Sequence, residues 1–363
     1  MTAPTPRPGI LDISPYVGGV SKLAGVDRVI KLSSNEGALG PSPKAIAAYQ
    51  AVAAEMHRYP DGHATKLRQA LAAKFELDAE RIVCGCGSDE LLQLLVRAYA
   101  GPGDEVVYSR HGFLIYEIAT RSCGATPVAA EEVELTAHVD NLLAAVTPAT
   151  KLLFLTNPNN PTGTYLPAAE VKRLRDGLPA HVLLVIDAAY AEYVVRADYT
   201  SGAELVELGD NTVMTRTFSK LYGMGGMRLG WAYCPAAIAD VLNRIRGPFS
   251  VSSAALAAGQ AALEDTKFAE QVRRNNIVWL PWLTAELTHL GLTVTPSCAN
   301  FILVTFPREA GRDALAADAF LRGQGIIVRA VGAYGLPDSL RITIGRGDEM
   351  QAVVEALRQF LGA

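Results

Sequence analysis

Two segments constrain the fold of this chain more than any other feature: "KLLFLT" (151–156) and "HVLLVID" (181–187). Both are nearly continuous apolar runs. A strand with one wet face alternates apolar and polar residues, so runs without alternation indicate strands covered on both faces, as in parallel sheets flanked by helices. "RIVCGC" (81–86), "DEVVYS" (104–109) and "NTVMTRTFS" (211–219) read as further strands. Segments with helical apolar spacing lie among them: "PSPKAIAAYQAVAAEM" (41–56), "ATKLRQALAAKFEL" (64–77) and "SDELLQLLVRAYA" (88–100), the last with Ser88 as its N-cap. This succession predicts an α/β fold in which a mostly parallel sheet is sandwiched by helices.

Past residue 245 the character changes. "SSAALAAGQAALED" (252–265) is an alanine-rich helix, and a long helical stretch follows over 266–290, kinked but not ended by Pro281. Strands follow at "LTVTPS", "NFILVTF", "IIVRA" and "LRITIG", with helices at "RDALAADAFLRGQ" and "DEMQAVVEALRQFL". These describe a smaller α+β unit. The expected organisation is an N-terminal arm and part of the small domain over 1–35, a large domain over 36–250, and linking helices with the small C-terminal domain over 251–363.

The formal net charge of the 363 residues is −4, with acids and bases interspersed. A nucleic-acid or anionic-membrane surface needs a basic excess, so neither partner is expected, and any affinity for anions must come from local sites. The five cysteines (Cys84, Cys86, Cys123, Cys234, Cys298) are scattered, with no CxxC pair or nearby histidine cluster to suggest zinc. They read as buried structural thiols in a cytoplasmic protein. No apolar run approaches the length of a membrane span, and the N-terminus lacks the apolar core of a signal peptide.

In open parallel sheets, ligands sit beyond the carboxyl ends of the strands, so the residue after each apolar run matters most. "LLVID" ends in Asp187, "LLFLT" runs into "NPNNPTG" starting at Asn157, "IVCGC" leads to Gly87-Ser88-Asp89 at a helix start, and "MTRTFS" leads to Lys220. Taken singly, each has an ordinary explanation: a turn-capping aspartate, an Asn-Pro-Gly turn, a weak glycine motif, a solvated lysine. Together they place an amine, a carboxylate and an anion site at one crevice, which suits pyridoxal phosphate. The lysine would bond the aldehyde and the aspartate would keep the ring nitrogen protonated. Arg228 and the helix at Ser88 would hold the phosphate by charge-assisted and backbone N–H bonds.

"NPNNPTG", "VIDAAYAEY" and "TFSKLYGMGGMRLG" together resemble fold-type I pyridoxal-phosphate aminotransferases, and closely the histidinol-phosphate aminotransferase family. "KLSSNE", "HRYPDGHATKLRQALA", "GCGSDELL" and "LRITIG" match that family in the same order, from about Ser14 to the C-terminus. The resemblance implies that Lys220 is the Schiff-base lysine and that Asp187 pairs with the ring nitrogen. It implies that Asn157 and Tyr190 bond the ring's phenolic oxygen and that Phe113 stacks on the ring. Ser88, Asp89, Ser219 and Arg228 would surround the phosphate, joined by Tyr59 of the partner subunit in a homodimer. Arg341 would anchor the substrate's acidic group, assisted by Tyr16, Asn35 and Arg329.

The chain departs from the family pattern in "SSNEGALGPSP", where most members have proline after "NE". That loop borders the substrate site, not the cofactor site. The reaction implied is a ping-pong transfer between histidinol phosphate and 2-oxoglutarate. An aromatic amino acid aminotransferase would use the same cofactor residues. A phosphothreonine-type decarboxylase would keep Lys220 and Asp187 as well, and a non-enzymatic pyridoxal-phosphate-binding protein stands as a further alternative.

Overall fold

The computed structural model describes residues 4–23 and 29–362. Its strands are, in chain order, β1 (Ile30–Lys31), β2 (Ile82–Gly85), β3 (Glu105–Ser109), β4 (Thr126–Ala130), β5 (Thr150–Thr156), β6 (Leu183–Asp187), β7 (Thr212–Thr217) and β8 (Gly230–Tyr233). They continue with β9 (Thr293–Thr295), β10 (Phe301–Thr305), β11 (Ile326–Ile327), β12 (Arg329–Ala330) and β13 (Ser339–Thr343). Seven of them form one sheet in the order β2-β8-β7-β6-β5-β3-β4. Pairings from β4 through β7 are all parallel, and only β8 runs against its neighbours.

The continuous apolar runs are explained by two cores. Phe154 of β5, Val185 of β6 and Val213 of β7 pack with Leu91 and Leu95 of the helix Ser88–Tyr99. Their sequence neighbours Leu153, Leu155, Leu184 and Ile186 point the other way, against Val139 and Leu142 of one helix and Val171 and Leu174 of another. Each such side chain contributes about 1.5–3 kcal/mol by leaving water. A polar residue on either face would forfeit that, so the strands could not alternate.

The second sheet, β12-β13-β10-β9, is antiparallel throughout. The helices Thr266–His289, Ala314–Gly323 and Gly347–Leu361 cover it through Leu283, Leu287, Ala317, Leu321, Val353 and Leu357. β1 pairs in parallel with β11, which carries Leu32 into the same core. The helix Ser253–Glu264 instead packs Ala255, Ala258 and Ala262 into a core with Trp231 and Phe218, on the side of the larger sheet.

Some local expectations change. Gly87, at φ 79, caps the helix Ser88–Tyr99, and Ser88 is its first residue. A positive φ suits glycine, and it lets the chain reverse from β2 into the helix within two residues. As expected, Pro281 does not end the helix Thr266–His289. Strands β1, β4 and β8 have no counterpart in the sequence reading. All five cysteines are free, and burial pushes the Cys84 thiol up to about 12. Among the described residues no cluster of His, Cys, Asp or Glu could hold a metal ion, and no helix is long and apolar enough to cross a membrane.

Candidate active site

The sheet topology concentrates polar groups at one edge. Thr156 ends β5, Asp187 ends β6, and the two are register partners; Asp187 is also opposite Thr215 of β7. Beyond β7 the chain runs through Phe218 and Ser219 to Lys220. Thr156, Asp187, Thr217, Ser219 and Lys220 line a cleft of about 260 Å³, whose other walls come from the Ser88 helix, the segment 33–36, β12 and β13.

Asp187 is 3% exposed. Burial raises its carboxyl from the ordinary 3.8 to about 6, against the pull of a 2.9 Å hydrogen bond donated by the Tyr116 hydroxyl. Lys220 is shifted in the opposite sense. Burial first, and the Arg341 charge second, bring its amine down from 10.5 to about 8. Its Nζ donates to the Ser34 carbonyl at 3.3 Å and lies 5.6 Å from the Tyr190 ring centre. The Tyr190 hydroxyl accepts from Asn35 Nδ2 at 2.9 Å, and burial pushes that phenol up to about 12. Asn35, at φ 56, also donates its backbone N–H to Thr343 Oγ1 at 3.0 Å, and its carbonyl accepts from Asn300.

An anion cradle lies at the start of the Ser88 helix. Orphan N–H groups and the helix dipole favour negative charge there. Arg228 reaches across to Asp89 at 3.0 Å, and its other amino group lies 3.5 Å from Ser219 Oγ. That ion pair is half-exposed on both sides, so it contributes little stability and leaves the guanidinium available to a stronger anion. Close packing makes two glycines necessary. A Cβ on Gly87 would lie 2.3 Å from Arg228 Nη2, and one on Gly230 would lie 2.2 Å from the Ser88 nitrogen.

The far end of the cleft holds two guanidinium groups. Arg329 of β12 and Arg341 of β13 are direct cross-strand partners. Arg341 is 5% exposed; it donates to Asn160 Oδ1 and to the Ser33 carbonyl, while its Nε has no partner. Arg329 donates to the Val17 carbonyl at 2.7 Å and lies beneath the Tyr16 ring. Like charges opposite one another destabilise a strand pair unless something negative lies near them. Phe113 packs edge-on against Tyr16 at 6.4 Å.

Twelve of the residues singled out in the sequence border this cleft: Tyr16, Asn35, Ser88, Asp89, Phe113, Asp187, Tyr190, Ser219, Lys220, Arg228, Arg329 and Arg341. Asn157 does not. Its buried amide is used on Leu166, donating to the carbonyl at 3.0 Å and accepting from the N–H at 2.8 Å. The asparagine of "NPNNPTG" that borders the cleft is Asn160, from the second Asn-Pro pair. Tyr59 also lies outside, 82% exposed and stacked on Phe249 at 4.6 Å. Sequence reading did not single out Thr156, Ser33, Glu36 and Thr217, although Thr156 and Thr217 end strands and Ser33 and Glu36 lie in "KLSSNE".

A lysine poised near neutrality, a buried acid, a helix-start anion site and a stacking aromatic fit a phosphorylated pyridine aldehyde, as the chemistry of this donor set requires. Residues 27–357 match the family model for aminotransferase class I and II, and the chain belongs to that family. It is 69% identical over 363 residues to the histidinol-phosphate aminotransferase of Paramagnetospirillum magneticum, covering all of both chains. It is 62% identical to that of Rhodospirillum rubrum, over 99% of this chain and 97% of the relative. The crystal structure of histidinol-phosphate aminotransferase from Sinorhizobium meliloti in complex with pyridoxal-5'-phosphate superimposes with a TM-score of 0.90 at 29% identity, covering 99% of each chain. The fold is therefore the α/β architecture of fold-type I aminotransferases.

Proposed function

We propose that this chain transfers the amino group of histidinol phosphate to 2-oxoglutarate, using pyridoxal 5'-phosphate. When bound, that cofactor supplies an aldehyde that bonds amines and a ring that takes up electrons. Ser88, Ser219 and Arg228 hold its phosphate, with Asp89 orienting the arginine. Asp187 keeps a proton on the ring nitrogen, Tyr190 and Asn160 bond the ring oxygen, and Phe113 covers one ring face. Lys220 supplies the amine that bonds the aldehyde. Lys220 would also be the base for the substrate's α-proton, and burial, which lowers its amine, favours the neutral form that such a role needs.

The observation that carries the substrate assignment is the cross-strand pair Arg329 and Arg341. Two adjacent cations, one with an unpartnered Nε, match a phosphate dianion better than a single carboxylate. The identities to histidinol-phosphate aminotransferases support the same reading. Specificity constants for histidinol phosphate, phenylalanine, tyrosine and phosphothreonine, with 2-oxoglutarate as acceptor, test it. Histidinol phosphate should lead; a preference for phenylalanine would replace this reading with that of an aromatic aminotransferase.

The working form is proposed to be a cytoplasmic homodimer, with Tyr59 completing the partner's phosphate site. Its support is an apolar surface patch that brings together Met56, Tyr59 and Phe249, and five free thiols that suit a reducing compartment. Mixed dimers of Lys220→Ala and Tyr59→Ala subunits should regain part of the activity that each lacks. A separate core that joins Leu32 to residues from Leu283 onward supports a small domain built from both chain ends, while the helix Ser253–Glu264 packs with the large domain.

A further inference from the structure

Asp187 is held by a residue that lies behind the cleft rather than in it. Tyr116 is 1% exposed on the helix Ile115–Ser122. Its ring stacks on Phe154 with centroids 4.3 Å apart and planes 4° from parallel, and it meets Phe113 edge-on at 6.1 Å. Its hydroxyl lies 2.9 Å from Asp187 Oδ2 and 2.6 Å from Thr156 Oγ1. A phenol has one proton, and a carboxylate can only accept. The Tyr116 proton therefore goes to Asp187, and Thr156 must donate to the Tyr116 oxygen. The remaining side-chain donor to Asp187, Thr215, is long at 3.5 Å.

We propose that Tyr116 is a positioning residue for the aminotransferase reaction: the donor chain from Thr156 through Tyr116 fixes the Asp187 carboxylate where it meets the cofactor's ring nitrogen. This rests on the proposed role of Asp187. Chained hydrogen bonds polarise one another, so the Thr156 hydroxyl strengthens the bond that reaches the carboxylate. Burial holds the Tyr116 phenol well above its ordinary range, so it remains a donor at any working pH. Packing alone does not require the hydroxyl, since phenylalanine would fill the same slot between Phe154 and Phe113. A single buried residue thus touches both groups that address the cofactor ring, its face through Phe113 and its nitrogen through Asp187.

The test uses Tyr116→Phe, which removes one oxygen and keeps the ring. Affinities are measured for pyridoxamine 5'-phosphate and for its 1-deaza analogue, in which a C–H replaces the ring nitrogen. Neither ligand needs Lys220 chemistry, so the readout is independent of turnover. The wild type should prefer the nitrogen-containing ligand. Tyr116→Phe should cut that preference by about tenfold or more, the worth of a hydrogen bond to a charged group. Thr156→Val should cut it less, in the same direction. In an Asp187→Ala background, Tyr116→Phe should change the preference no further, because the two act as one unit. Equal weakening of both ligands by Tyr116→Phe, or an unchanged preference, overturns the proposal. A wild type without any preference overturns the role of Asp187 itself, and this inference with it.

Discussion

Replacing Asp187 with asparagine should make the cofactor-free protein more stable at neutral pH while crippling it as an aminotransferase. The carboxyl is buried, and burial raises it from 3.8 to about 6, with the charge of Asp89 pushing the same way. A folded-state value above the unfolded one means that the native protein holds the proton more tightly. The associated stability is complete below about pH 4 and is lost as pH rises through about 6. At 1.36 kcal/mol per pH unit, the rise corresponds to about 3 kcal/mol at pH 7, an upper figure because water can relax around the charge. Asparagine keeps the shape and can still accept from Tyr116, but it carries no charge to desolvate. Urea midpoints of cofactor-free wild type and Asp187→Asn, taken at pH 4.5 and pH 7.5, check this. The two proteins should be close at the lower pH, with the variant ahead by about 1–3 kcal/mol at the higher. An equal gap at both pH values, or a less stable variant at pH 7.5, would refute the reasoning.

The rate at which the cofactor-free enzyme captures added pyridoxal phosphate should rise with pH through about 8, because only the neutral Lys220 amine reacts. Arg341→Met should move that inflection upward, since it removes the charge that ranks second to burial in lowering the amine; a stopped-flow pH profile reads both. Gly230→Ala should lower cofactor affinity at least about tenfold by fluorescence titration, because its Cβ would meet the Ser88 nitrogen at 2.2 Å and displace the helix start. Arg341→Ala should reduce the specificity constants for histidinol phosphate and phenylalanine alike, by about ten- to a hundredfold. Arg329→Ala should reduce the first more than the second, and an equal loss would remove the argument for a dianion site.

The strands over 151–156 and 181–187 were legible because burial on both faces leaves a signature within a few residues. Three strands were not legible: β1 is two residues long and is a strand only through its pairing with β11, and β4 and β8 also owe their state to neighbours. β8 is four residues long and follows a glycine-rich loop, and it is a strand because β2 and β7 pair with it on either side. β4 contains Pro127, which strand reading discounts, and proline is tolerated there because β4 lies at the sheet edge. The cleft residues Asp187, Ser88 and Lys220 stood out as polar groups following apolar runs. Asn157 and Asn160 did not separate, because two identical Asn-Pro pairs differ only in what the folded turn sets opposite them. The pairing of Arg329 with Arg341 is likewise a matter of register between two strands of the smaller sheet.

Asn35 joins three stretches of chain that are far apart in sequence, bonding Tyr190, Asn300 and Thr343 from a backbone held at φ 56. Read in the order of synthesis, this divides the birth of the site into two events. Every residue of the anion cradle, with Asp187 and Lys220, has emerged once the chain reaches Tyr233 at the end of β8. The guanidinium at Arg341 and the hydroxyl at Thr343 come from the last strand, with only the closing helix Gly347–Leu361 left to be made. On the proposed assignment, a growing chain holds its own side chains that would grip the cofactor long before it holds the guanidinium that would anchor the substrate's acidic group.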